Sequence, residues 1–169
     1  MKKQTKKQQS GRSMIEMVGV LAVMGLITAA AFVLINSAMS SQRLSRVDDD
    51  VAGIVNGVRL LYNSQPDFTG VSADTLVLLG FGNADKAYQN PYGGDYILNS
   101  QPNARTFTVT LDKLGAKTCT VLSTKTWTAG GKVITTAVES SPVTSCTATT
   151  TNTNKVVIQY GKADSSMNP

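Results

Sequence analysis

Between Met17 and Gln42 the chain carries no charged residue, and Met17 to Ile35 reads MVGVLAVMGLITAAAFVLI, almost wholly apolar. As a helix, nineteen residues reach about 28 Å, close to the hydrocarbon thickness of a bilayer. A helix apolar all round belongs in lipid or in the core of an assembly, not on the surface of a soluble domain. Lys2, Lys3, Lys6 and Lys7 precede it with no acid among them. The positive-inside rule therefore leaves the first residues in the cytoplasm and sends the chain beyond the run across the membrane.

Charge elsewhere narrows the function. The 169 residues have 16 basic and 11 acidic side chains, a formal +5. Without the four leading lysines the rest is close to neutral, so the basicity belongs to the leader and gives little support to a nucleic-acid partner. There is no histidine. That removes histidine-based nucleophilic machinery and the common histidine zinc sites, and two cysteines are too few for a thiolate zinc site. No spacing of serines, threonines and carboxylates assembles an enzyme site, and neither cofactor nor metal is expected. Cys119 and Cys146 read best as a disulfide formed in an oxidising compartment such as a periplasm, the alternative being two unrelated buried thiols. The disulfide agrees with the topology inferred from the lysines.

Glu16 is the only charge from Met14 to Gln42. A carboxylate at the mouth of a membrane helix costs about 2–3 kcal/mol on insertion scales, less near the interface. It marks a functional group, or else an acid that favours the helix dipole at headgroup level. A secretory signal would place its cleavage site after the apolar run, where only Ser37-Ala38-Met39 or Ala38-Met39-Ser40 is available. In front of the run stands Gly11, followed by Arg12-Ser13-Met14-Ile15-Glu16. The string GRSMIEMVGVLAVMGLI resembles the type IV prepilin signature, in which a glycine closes a basic leader and a glutamate follows five positions later. The resemblance implies cleavage after Gly11 by prepilin peptidase, N-methylation of the new terminus at Arg12, and pairing of Glu16 with the terminal amine of a neighbouring subunit. Arg12 stands where the family usually has an apolar residue. Gly19 and Gly25 suit close packing of membrane helices, or a segment that loosens on assembly as the family implies.

Beyond Asn36, Leu44, Val47, Val51, Ile54, Val58 and Leu61 recur at steps of three and four, so one helix is expected from about Ser13 to Ser64, closed by Pro66. Asp48-Asp49-Asp50 reads as a solvated face. A short helix capped by Ser72 runs through Leu79 to Gly80 and Gly82. Asn90-Pro91-Tyr92-Gly93-Gly94 is a turn. Asp95 to Asn99, Thr106 to Leu111, Val133 to Val138 and Lys155 to Tyr160 are strands, with Phe107, Val109 and Leu111 on one side. Asp112 to Thr124 is expected as a helix, and residues 140–154 as an exposed loop. Trp127, Lys125 and Lys132 fit either exposed contacts or the sheet.

Leu61-Tyr62, the Phe68-Thr69-Gly70 element, the NPYGG turn and the cysteine-bearing segment Leu111 to Leu122 resemble the type IVb pilins, such as bundle-forming, toxin-coregulated and conjugative thin-pilus pilins. The resemblance implies an α+β fold, a long helix packed on a small antiparallel sheet, with a loop pinned by Cys119–Cys146. The expected organisation is a leader at 1–11, an apolar membrane or filament-core helix at 12–36 and a globular domain at 37–169. It implies a precursor in the bacterial inner membrane, then an extracellular filament of like subunits. Its partners are prepilin peptidase, the inner-membrane assembly platform and the membrane itself before assembly. A minor pilin, a type II secretion pseudopilin and a signal-anchored periplasmic binding protein are the alternatives.

Overall fold

The computed structural model describes residues 14–82, 88–100, 105–135, 144–147 and 152–162. The chain divides into two units, residues 1–42 and 43–169. Helix α1, Met14–Leu61, begins in the first and ends in the second. In the first unit every described side chain is exposed within the single chain. Thr28, the lone hydroxyl of the apolar run, donates to the Met24 carbonyl at 2.8 Å, which satisfies it without water.

In the second unit, α1 contributes Val47, Val51, Ile54, Val55 and Val58, all buried. The stripe follows the helical repeat that the sequence shows, with Val55 added, whereas Leu61 is 44% exposed. The helix stops three residues short of Ser64. Asn63 and Ser64 are weak helix formers, and Pro66 disfavours the helical conformation at Gln65. Helix α2, Ala73–Leu78, follows Ser72, whose N–H donates to the Thr75 hydroxyl. Gly80, at φ +79°, closes it.

The sheet has the order β1-β2-β4-β3, antiparallel throughout: β1 Tyr96–Ser100, β2 Thr106–Leu114, β3 Lys132–Val133 and β4 Asn154–Gly161. Register sets Phe107 against Tyr160, Val109 against Ile158, and Leu111 against both Val156 and Tyr96. These side chains share one hydrophobic core with the α1 stripe, Phe68, Leu76, Leu122 and Trp127. The α+β architecture of a long helix on a small antiparallel sheet is therefore observed.

Three expectations are corrected. Asp112 to Leu114 continue β2, and the helix α3 spans only Ala116–Ser123. Tertiary bonds hold the first part extended: Leu114 pairs with Asn154, and the Asp112 carbonyl accepts from Asn90 Nδ2 at 3.1 Å. The Ser/Thr-rich loop is exposed at Ser145 to Thr147, yet its backbone is not free. Ser145 exchanges two hydrogen bonds with Lys155, at 2.9 and 3.1 Å, adding a rung to the edge of β4. The aspartate run is only partly solvated, because side chains of the head reach Asp48 and Asp50. Of the expected strand Val133 to Val138, residues 136–138 lie outside the described residues.

Candidate assembly site

Glu16 lies in the first turn of α1, exposed, where its carboxylate meets the positive end of the helix dipole. Met17, Val20 and Leu21 line the same shallow hollow. A carboxylate beside apolar side chains on a helix built for lipid is costly unless a cation meets it. Gly11 and Arg12 lie outside the described residues. A side chain at Gly19 or Gly25 would meet nothing within 4 Å, so both leave the helix surface open to close approach by another helix. The helix is long and apolar enough to cross a membrane.

The head is fastened to its part of α1 by side chains that the sequence left unassigned. Asp50 accepts from the Tyr88 hydroxyl at 2.7 Å and from the Tyr96 hydroxyl at 3.1 Å, and the two rings stack. Burial, then the hydrogen bond to Asp50, pushes the Tyr88 hydroxyl up to about 12, and the same causes raise Tyr96 further. Asp48 binds Lys125, whose ammonium stands 5.6 Å from the Trp127 ring centroid. Trp127 is itself buried and donates to the Leu122 carbonyl at 3.2 Å. It is a core residue, not a surface contact, while Lys132 is exposed on β3. Near the end of α1, Arg59 donates to the carbonyls of Gly161 and Ala129 at 2.9 Å each. Among the described residues no three potential metal ligands group together.

The family model described as PilS N terminal matches residues 41–160. The chain belongs to this pilin family. It is also 27% identical over 129 residues to proteins from Escherichia coli O127:H6 and O111:H-, each described as the major structural subunit of bundle-forming pilus. The alignment covers 70% of the chain, and the chain spans 66% of the length of these relatives. No solved structure matches it. The matches support the resemblance to type IVb pilins and a pilin's structural role.

In this pilin the Cys119–Cys146 disulfide joins α3 to the segment that pairs with β4, with 5.5 Å between the Cα atoms. Cys119 is buried and Cys146 exposed, so the bond ties a surface segment to the core. A second fastening went unread in the sequence. Gly53 and Gly57 face Phe81 and Leu79, and a Cβ at either would come within 2.9 or 2.7 Å of those side chains. Two glycines four apart on a helix with an apolar stripe were the available signal, since each lowers helix propensity by about 1 kcal/mol and calls for a packing reason.

Proposed function

We propose that this pilin is the major structural subunit of a type IVb pilus. The precursor sits in the bacterial inner membrane on the apolar part of α1, leader in the cytoplasm and head in the periplasm. Prepilin peptidase cuts after Gly11 and methylates the amine of Arg12. The assembly platform then transfers the subunit from lipid into a growing filament, where the apolar helices pack together and the heads face outward. The choice of major over minor subunit follows the relatives, both described as major structural subunits of bundle-forming pilus.

The observation that carries this reading is Glu16, a single carboxylate on a helix otherwise uncharged as far as Gln42. Paired with the terminal amine of an adjacent subunit, it is neutralised in the filament core. An unpaired partner is penalised, so the contact favours one register of assembly over others. Glu16→Ala is expected to insert and accumulate normally in the inner membrane while extracellular filament falls at least tenfold. Wild-type filament yield from that variant would remove Glu16 from assembly.

A further inference from the structure

The disulfide joins two cysteines in unlike settings. Cys119 is fully buried on α3 as part of the core, whereas Cys146 is exposed on a short surface segment. The Cys119 Sγ stands 3.4 Å from the Ser145 carbonyl oxygen and 3.7 Å from that of Lys155. As a thiol, Cys119 can donate to either oxygen. As a thiolate it would face two partial negative charges where water does not reach. The segment that carries Cys146 is also fastened to β4 by bonds that involve no sulfur. The Thr144 hydroxyl accepts from the Val157 N–H at 2.9 Å, and Ser145 exchanges two backbone bonds with Lys155. Asn154 Oδ1 accepts from the Thr147 N–H at 2.6 Å and from the Thr147 hydroxyl at 3.0 Å. These bonds flank Cys146 on both sides and hold it 5.5 Å, Cα to Cα, from Cys119.

We infer that this disulfide is made and broken through Cys146, with Cys119 as the resolving thiol, and that the partner is a dithiol oxidoreductase carrying a reactive disulfide. The thiolate is the attacking species, and access decides which cysteine a large partner meets. The Cys146 thiolate attacks one sulfur of the enzyme's disulfide. A bond between Cys146 and the enzyme forms, the enzyme's own S–S bond breaks, and its second sulfur leaves as a thiolate that takes up a proton. Cys119 then gives up its proton and attacks Sγ of Cys146. The Cys119–Cys146 bond forms, and the enzyme leaves as a dithiol, having gained two electrons and two protons from the chain. The edge of β4 aligns the two cysteines beforehand, so the second step is an intramolecular attack between groups already in place. A reductant runs the same path in reverse and enters at Cys146. The identity of the partner rests on the proposed periplasmic placement of the head, while the order of attack rests on the head alone.

Full-length Cys119→Ala and Cys146→Ser chains, purified in detergent and treated with oxidised glutathione, test the order of attack. Intact mass follows the mixed disulfide at the cysteine that each variant keeps. Cys146 is expected to react about tenfold faster than Cys119, or more, and the two rates should converge in urea. Equal rates in the native chains, or a faster Cys119, would overturn the inference. The reduced wild-type chain is expected to keep the near-ultraviolet signal of the buried Trp127, because the bonds to β4 do not need the disulfide. A head that unfolds on reduction would equally overturn the inference, since no sheet edge would then align the cysteines. In cells, Cys119→Ser should accumulate a mixed disulfide with the oxidoreductase that Cys146→Ser does not, and the reverse pattern would count against the inference. Wild-type cysteines recovered fully reduced from cells would refute the periplasmic placement instead, and the glutathione rates would still report the order of attack.

Discussion

Gly93 and Gly94 in the NPYGG turn serve different needs. Gly93 takes φ +88°, a conformation that a side chain disfavours. Gly94 is buried, and a Cβ there would collide with the main-chain oxygen of Asp112 in β2. Asn90 completes the turn, accepting from the N–H groups of Tyr92 and Gly94 at 2.9 and 3.3 Å. The turn was legible in the sequence from its composition, but the partner strand that makes Gly94 obligatory was not. Gly94→Ala should destabilise the head by about 1–3 kcal/mol, as overpacking against a backbone that cannot yield, and thermal unfolding will measure it. Tyr88 gives a pH dependence with a definite sign. Its hydroxyl titrates near 12 in the fold against an ordinary 10.0, so the unfolded chain loses that proton first as pH rises. The stability it contributes is intact below about pH 10 and is lost as pH climbs through 12. Unfolding midpoints from pH 8 to 12 should be flat, then fall, and Tyr88→Phe should soften the fall.

The elements show which signals were local. Val47, Val51, Ile54 and Val58 of the α1 stripe and β2's Phe107, Val109 and Leu111 follow periodicities of 3.6 and 2 and are buried as expected, while Leu61 at the end of the stripe is exposed. Asp112 to Leu114 were misassigned because their conformation is set by partners distant in sequence, Asn90 and Asn154. The aspartate run was read as solvated for the same reason: Tyr88, Tyr96 and Lys125 reach Asp50 and Asp48 across 38 to 77 positions. Cys119 and Cys146 were legible through compartment and count, whereas the rung between Ser145 and Lys155 was hidden in a Ser/Thr-rich stretch with no strand pattern. Replacing both cysteines with serine should lower stability by about 3–4 kcal/mol on the chain-entropy model. Backbone amide exchange should show the loss first at Ser145 and Lys155, where the tether holds the added rung.

For the whole molecule, the division at residue 42 separates two kinds of stability. Residues 43–169 hold a core that closes on itself, with Tyr160, Phe107 and Phe68 buried in contact. The helix before them offers Leu26, Phe32 and Leu34, each more than 60% exposed, and so relies on lipid or on other subunits for its burial. A protein built this way is complete only in company, which is why the proposed polymer accounts for the sequence better than an anchored monomer does. In that proposed polymer, Glu16 is the group that sets register at the start of the helix. The most direct test of this account is the intact mass and N-terminal sequence of the chain recovered from extracellular filaments of cells with their own assembly system. The account predicts a chain that begins at N-methylated Arg12. A chain that keeps Lys2 to Gln9, or one cut after the apolar run, would contradict it.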